Sequence, residues 1–126
     1  MNILVVDDEV DVKVLFEQRF RKEIRKNLVA FTFAHSGEEA LEKMARPELN
    51  IVLILSDINM PGMSGLELLK RIRETYEQPP PMVMMLTAYG DPDNKNTADE
   101  LGANDFLTKP IDFNLLKDKL KLANNG

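Results

Sequence analysis

Asp7 and Asp8 close the apolar run Ile3–Val6, and Asp57 follows the run Ile51–Leu55 after a single serine. Thr87 ends the run Met82–Leu86, and Lys109 stands just beyond a weaker extended segment, Asp105–Thr108. Taken singly, each is an ordinary turn, cap or strand-terminating residue. The conjunction carries the information, because four of five expected strands end in a polar group. In an open parallel sheet the carboxyl ends of the strands share one edge, and ligands bind where the strand order reverses. Carboxylates gathered there repel by roughly 4 kcal/mol per close pair at an effective dielectric of 20. A structure that keeps them together therefore needs a cation. With only oxygen ligands on offer, Mg²⁺ is the natural choice. Asp57 is the candidate nucleophile, since a screened carboxylate can attack phosphorus to give an aspartyl phosphate. A metal on Asp8 and Asp57 would supply most of the screening and Lys109 a second cation. Thr87 would offer its hydroxyl to a phosphoryl oxygen. Such chemistry is mainly positioning and electrostatics.

The elements that must hold these residues can be read from pattern. The three strong runs lack polar alternation, the habit of parallel strands buried on both faces. Two weaker strands fit at Val29–Ala34 and Asp105–Thr108. Between them the period becomes helical. From about Glu9 to Lys26, Val12, Leu15, Phe16, Phe20 and Ile24 form one apolar stripe. Ser36-Gly37-Glu38-Glu39 and Ser64-Gly65-Leu66-Glu67 have the spacing of capping boxes. They announce helices carrying Ala40, Leu41 and Met44, then Leu69 and Ile72. Asp91-Pro92 opens a fourth, weakly apolar helix that stops near Gly102, and Asp112 caps a fifth with Leu115, Leu116 and Leu120. Five strands alternating with five helices predict a doubly wound α/β domain with a parallel sheet, (βα)5. Pro79-Pro80-Pro81 reads as a stiff extended connection.

Composition narrows the function. The chain has 126 residues, 44% hydrophobic and 29% charged, enough for one core. The expected domain covers residues 1–123, with 124–126 a frayed terminus or the start of a linker. There is no cysteine and a single histidine, His35, which excludes disulfides, thiolate zinc sites and any site needing two imidazoles. A net charge of −5 opposes direct nucleic-acid or anionic-membrane binding. No apolar run reaches the ~20 residues that span a bilayer, so the expected location is cytoplasmic.

At this level of detail the sequence resembles the receiver domain of two-component response regulators, in the CheY-like superfamily. The likeness runs from Ile3 to about Leu122. It is carried by Val5-Val6-Asp7-Asp8-Glu9, by Asp57-Ile58-Asn59-Met60-Pro61-Gly62-Met63-Ser64-Gly65, by Leu86-Thr87-Ala88, and by Gly102-Ala103 with Phe106 and Lys109-Pro110. The resemblance implies a flavodoxin-like strand order, 2-1-3-4-5, with Asp57 as phosphoacceptor. Asp8 would bind Mg²⁺ directly, Asp7 mostly through water, and Asn59 through its backbone carbonyl. Thr87 and Lys109 would contact the phosphoryl group, with a cis bond between Lys109 and Pro110. Phe106 occupies the position of a switching aromatic ring, without the hydroxyl of the commoner tyrosine. Met60, Ala88 and Tyr89 would flank the pocket. The phosphoryl donor would be a histidine kinase or phosphotransfer protein. The output surface would be the fourth helix, fifth strand and fifth helix, within residues 93–122, meeting a partner, a tethered domain or a second copy.

Rival readings fail on particular residues. A calcium loop starting at Asp57 needs Glu at its twelfth position, where Leu68 stands. A phosphatase wants an acid two residues beyond its nucleophile, where Asn59 stands. A flavodoxin-like cofactor binder needs a glycine- and hydroxyl-rich loop after the first strand, which offers Asp-Asp-Glu instead, and no P-loop motif is present. The alternative that survives is a receiver-like docking module that is not phosphorylated in use. His35, just before a capping box, reads as a solvated turn residue, and the methionines of Met82–Leu86 as core filling.

Overall fold

The computed structural model describes residues 1–88 and 91–121. Tyr89, Leu122 and the expected frayed end at 124–126 lie outside them. Strands β1 (Asn2–Val6), β2 (Ala30–Ala34), β3 (Leu53–Asp57), β4 (Met82–Thr87) and β5 (Asp105–Thr108) form one parallel sheet in the order β2-β1-β3-β4-β5. This is the doubly wound flavodoxin-like sheet. The order reverses between β1 and β3, so the crevice at their carboxyl ends lies between Val6 and Ser56, which pair across the ladder.

Strand side chains alternate between faces with period 2, and both faces are covered. Ile3, Val5, Leu53, Leu55, Met84, Leu86 and Leu107 pack on one side against Val12, Phe16, Phe20, Leu116 and Leu120. These helical residues belong to or adjoin α1 (Val12–Arg19), α2 (Arg21–Arg25) and α6 (Phe113–Lys119). Leu4, Val6, Ile54, Val83 and Met85 face the other way, against Ala40, Leu68, Leu69, Ile72 and Ala98. Those lie on α3 (Gly37–Met44), α4 (Gly65–Thr75) and α5 (Pro92–Glu100). Two-sided burial is why the strong strands read as unbroken apolar runs. On the first face Phe16 is fully buried and sits among Phe20, Phe31, Phe33 and Phe113 at centroid distances of 5.2–6.2 Å.

The caps behave as their spacing predicts. Ser36 Oγ accepts from the Glu39 amide at 3.0 Å, Ser64 Oγ from Glu67 at 3.2 Å and Asp112 from Leu115 at 3.1 Å. Asp91 accepts from Asn94 at 3.4 Å. In the first box the reciprocal bond shifts by one residue, with Glu39 Oε1 accepting from the His35 amide at 2.6 Å.

Several expectations are corrected. The single helix over Glu9–Lys26 is two, since Phe20 adopts φ −109° and ψ 17° between α1 and α2. The expected fourth and fifth helices are thus α5 and α6. The Phe20 amide still reaches Phe16 O at 2.9 Å, so the chain bends rather than parts as the two rings stack 5.9 Å apart. Met82, read as core filling, is 47% exposed at the start of β4, where only Met84 and Met85 of the three are buried. Leu15 and Leu115, placed on buried stripes by periodicity, are 39% and 45% exposed. Their neighbours Phe16 and Leu116 take the inward positions because each helix meets the sheet over a narrow stripe. Pro79–Pro81 is not an extended spacer, since residues 77–81 run as a series of bends. A single 3₁₀ turn, Pro47–Leu49, was also not anticipated.

Arg73 of α4 ties the edge remote from the crevice. Its guanidinium donates to Gly102 O at 3.0 Å, Pro81 O at 2.9 Å and Asn104 Oδ1 at 2.6 Å, and that same oxygen accepts from the Val83 amide at 2.8 Å. Glu23 of α2 is buried against α6, pairing with Lys117 at 3.2 Å.

The division between inward and outward positions predicts a sharp contrast between neighbours. Phe16→Ala is expected to destabilise the fold by about 3–5 kcal/mol, whereas Leu15→Ala should cost under ~1 kcal/mol. Urea unfolding of the two variants checks this; equal losses would mean that the aromatic cluster does not anchor α1.

Candidate functional site

Each strand-terminal polar residue arrives at the same edge. Asp57 is the last residue of β3 and Asp7 the first after β1, where its amide still donates to Ala34 O of β2 at 3.0 Å. Oxygen atoms of Asp7, Asp8 and Asp57 all lie within 4.8 Å of one another. Asp7 and Asp57 are buried, 4% and 5% exposed, and Asp8 faces solvent. Lys109, just past β5, reaches across. Its ammonium is 2.5 Å from Asp57 Oδ2 and 3.5 Å from Asp7 Oδ2. Asp57 Oδ1 accepts from the Asn59 amide at 3.1 Å, and Asp7 Oδ1 from the Glu9 amide at 3.0 Å. The Asp57 carboxylate is therefore aimed by one donor on each oxygen.

Backbone packing makes this arrangement stiff. Gly65 begins α4 against the Asp57–Ile58 main chain, donating to Ile58 O at 2.7 Å. A Cβ at position 65 would stand 2.1 Å from Asp57 O, so no side chain fits without displacing the strand end that carries the carboxylate. On the other flank the Lys109 amide donates to Thr87 O at 2.8 Å, and the Lys109–Pro110 bond is cis. Thr87 is 6% exposed, its hydroxyl donating weakly to Leu107 O at 3.4 Å. Phe106 lies earlier on β5, half-buried, opposite Met85.

Of the pocket-flanking candidates, Ala88 is exposed, Tyr89 lies outside the described residues, and Met60 is buried in the second core cluster. His35 is not a solvated turn residue. Its ring is half-buried, with Nδ1 3.0 Å from Asp7 O. A carbonyl only accepts, so Nδ1 carries the proton and holds the acidic loop against α3. Nothing local in the sequence signals this, because the contact spans 28 positions.

Electrostatics follows from burial and charge. Burial raises the Asp7 carboxyl above its ordinary range; the Glu9 amide and Lys109 oppose this, and Asp57 and Asp8 reinforce it. Burial alone would lower the Lys109 ammonium, but the hydrogen bond and charge of Asp57, with Asp7, outweigh it and the net shift is upward. Three carboxylates against one ammonium leave two uncompensated negative charges, an all-oxygen donor set suited to a hard divalent cation.

The family model described as "Response regulator receiver domain" matches residues 3–121. The chain belongs to the response regulator receiver domain family. Sporulation initiation phosphotransferase F of Bacillus subtilis is 34% identical over 119 residues, 94% of this chain and 90% of that protein. An uncharacterized transcriptional regulatory protein of the same organism, YkoG, is 34% identical over 97% of this chain, which spans only 50% of YkoG's length. Among solved structures, the Saccharomyces cerevisiae Ssk1 receiver domain, crystallised with the histidine phosphotransfer protein Ypd1, superposes with TM-score 0.82 and 29% identity. That match covers 96% of this chain and 86% of the other. The receiver is thus a two-component signalling domain, and among its described residues no helix is long and apolar enough to cross a membrane.

The raised Asp7 carboxyl sets a sign. An acid whose folded pKa lies above its unfolded value opposes folding at every pH above the folded pKa, and has no effect below the unfolded one. At pH 7 without divalent cations, Asp7→Asn is therefore expected to melt above the wild type, and Mg²⁺ to raise the wild type's Tm more than the variant's. Calorimetry in EDTA and in Mg²⁺ checks both; a variant melting lower in EDTA would mean that the Asp7–Lys109 pair outweighs burial.

Proposed function

We propose that this receiver is a phosphorylation-activated switch whose phosphoacceptor is Asp57. The observation that carries the reading is the Asp57 carboxylate, held between the Asn59 amide and Lys109 inside a cluster that retains negative charge. An exposed nucleophile would need no such positioning, and a purely structural ion pair would need no further carboxylates.

The roles follow from the contacts. Asp57 Oδ2 attacks phosphorus of a protein phosphohistidine, so that the P–N bond breaks as the P–O bond forms. Lys109, already on that oxygen, follows the charge onto the phosphoryl group. Thr87 turns its loosely held hydroxyl from Leu107 O toward a phosphoryl oxygen. Asp7, Asp8, Asp57 and the Asn59 carbonyl are the groups that would hold Mg²⁺. Bound there, it would screen the carboxylates from the incoming phosphoryl oxygens. The same groups would favour the slow hydrolysis that resets the switch, and its own phosphoryl transfer and this hydrolysis would be the receiver's only catalytic work. The donor would be a histidine kinase or phosphotransfer protein of the cytoplasm. The surface of α5, β5 and α6 would respond, meeting an output partner, a tethered domain or a second copy. Loss of the Thr87–Leu107 contact gives phosphorylation a direct path to β5.

Incubation with acetyl phosphate and Mg²⁺ should add one phosphoryl group to the intact protein, and Asp57→Asn or EDTA should remove that mass. No adduct on folded, Mg²⁺-loaded protein would turn the reading to a docking module recognised by shape. Lys109→Ala is expected to be phosphorylated at least tenfold more slowly. Any adduct it forms should leave the amide chemical shifts of α5 and β5 as in the unmodified protein; a full response would remove Lys109 from the coupling.

A further inference from the structure

Phe106 has no hydroxyl, so no hydrogen bond from its ring can fix its position. What holds it must act on the ring face. The ring lies half-buried against the cluster that includes Met85 and Ala98, as do Leu101 and Ala103. Lys95, on the exposed side of α5, places its ammonium 5.4 Å from the ring centroid. This is cation–π geometry, in which the ammonium is attracted to the electron-rich face. The helix that carries Lys95 is otherwise weakly attached, since Ala98 is its only fully buried side chain. Its far end is held through Gly102, whose carbonyl is bound by Arg73. Toward the N-terminal half, the Lys95–Phe106 contact joins α5 to β5.

We infer that Lys95 is a positioning residue for the switch, its ammonium over the outer face of Phe106 holding the ring in the half-buried state. Deeper burial of the ring would gain apolar contact and give up the cation. Removing the charge shifts the balance inward; arginine, which keeps a cation at this reach, preserves it. An exposed cation–π contact corresponds to about a two- to fivefold change in such an equilibrium. The consequence for signalling rests on Asp57 being the phosphoacceptor: Lys95 then keeps the unphosphorylated receiver from responding spontaneously.

The test labels the full chain with fluorophenylalanine and identifies the Phe106 ¹⁹F resonance by its loss in Phe106→Leu. Ring exposure is read from the H₂O–D₂O solvent-isotope shift of that resonance, without phosphoryl donor or metal, in wild type, Lys95→Met and Lys95→Arg. Lys95→Met keeps most of the aliphatic stem and removes only the charge. The inference expects a smaller isotope shift at Phe106 in Lys95→Met, little change at the five other phenylalanines, and a wild-type value in Lys95→Arg. An unchanged or larger shift in Lys95→Met overturns it, as does an Arg variant that behaves like Met. Beryllofluoride with Mg²⁺ added to the wild type reports separately on Asp57. A spectrum it leaves unmoved counts against the phosphoacceptor reading and leaves the Lys95 comparison standing.

Discussion

Three carboxylates with oxygens inside 4.8 Å, two of them buried, form the constraint that the rest of this receiver accommodates. Each close pair repels by roughly 3–4 kcal/mol at an effective dielectric of 20, an appreciable share of the 5–15 kcal/mol net stability typical of a small domain. One lysine offsets part of it. Lys109 can do so because β5 runs parallel to β4 at the far side of the crevice and ends level with Thr87. The remainder is carried by the fold: a sheet buried on both faces, and five phenylalanines gathered on the α1 side.

That division places rigidity and mobility in different parts of the molecule. The strand ends that carry Asp7 and Asp57 are pinned by backbone contacts, Asp7 through Ala34 O and Asp57 through the close approach of Gly65. Arg73 binds the opposite edge of β4 and β5 through carbonyls and Asn104. Between these pinned edges lie α5 and the middle of β5, where the contacts are a weak threonine hydrogen bond, a few small apolar side chains and a lysine over a ring. Thr87 touches β5 through Leu107 O, so under the proposed function a dianion at Asp57 would reach β5 through Thr87. Such a gradient of attachment lets a local charge change move one surface without disturbing the core.

Buried polar groups away from the crevice follow the same logic. Glu23 is buried with one oxygen on Lys117, and its other oxygen, Oε1, has no hydrogen-bond partner among the described residues. Lys117 also lies 5.2 Å from the Phe20 ring centroid, so a single ammonium joins α2, the bend at Phe20 and α6.

The polar residues gathered at the crevice were legible because a polar residue closing an apolar run must lie at a strand end, and parallel strands bring those ends together. Caps at Ser36, Ser64, Asp91 and Asp112 were legible for a similar reason, each being satisfied within three residues. The inward faces of α1 and α6 were not, since periodicity allows a stripe about one residue wider than the sheet covers, and Leu15 and Leu115 fell outside it. The bend at Phe20, the His35 ring on Asp7 O, Arg73 across three segments and Lys95 over Phe106 depend on which elements become neighbours. The sequence by itself determined the strands, the alternation of helical segments between them and the residues at the crevice, because those follow from local pattern and from the one edge that parallel strands share. Only the tertiary structure decided how the carboxylates are aimed, what braces them and what rests on the ring of Phe106, because hydrogen bonds and cation–π contacts are set by a few ångströms of packing that no spacing encodes.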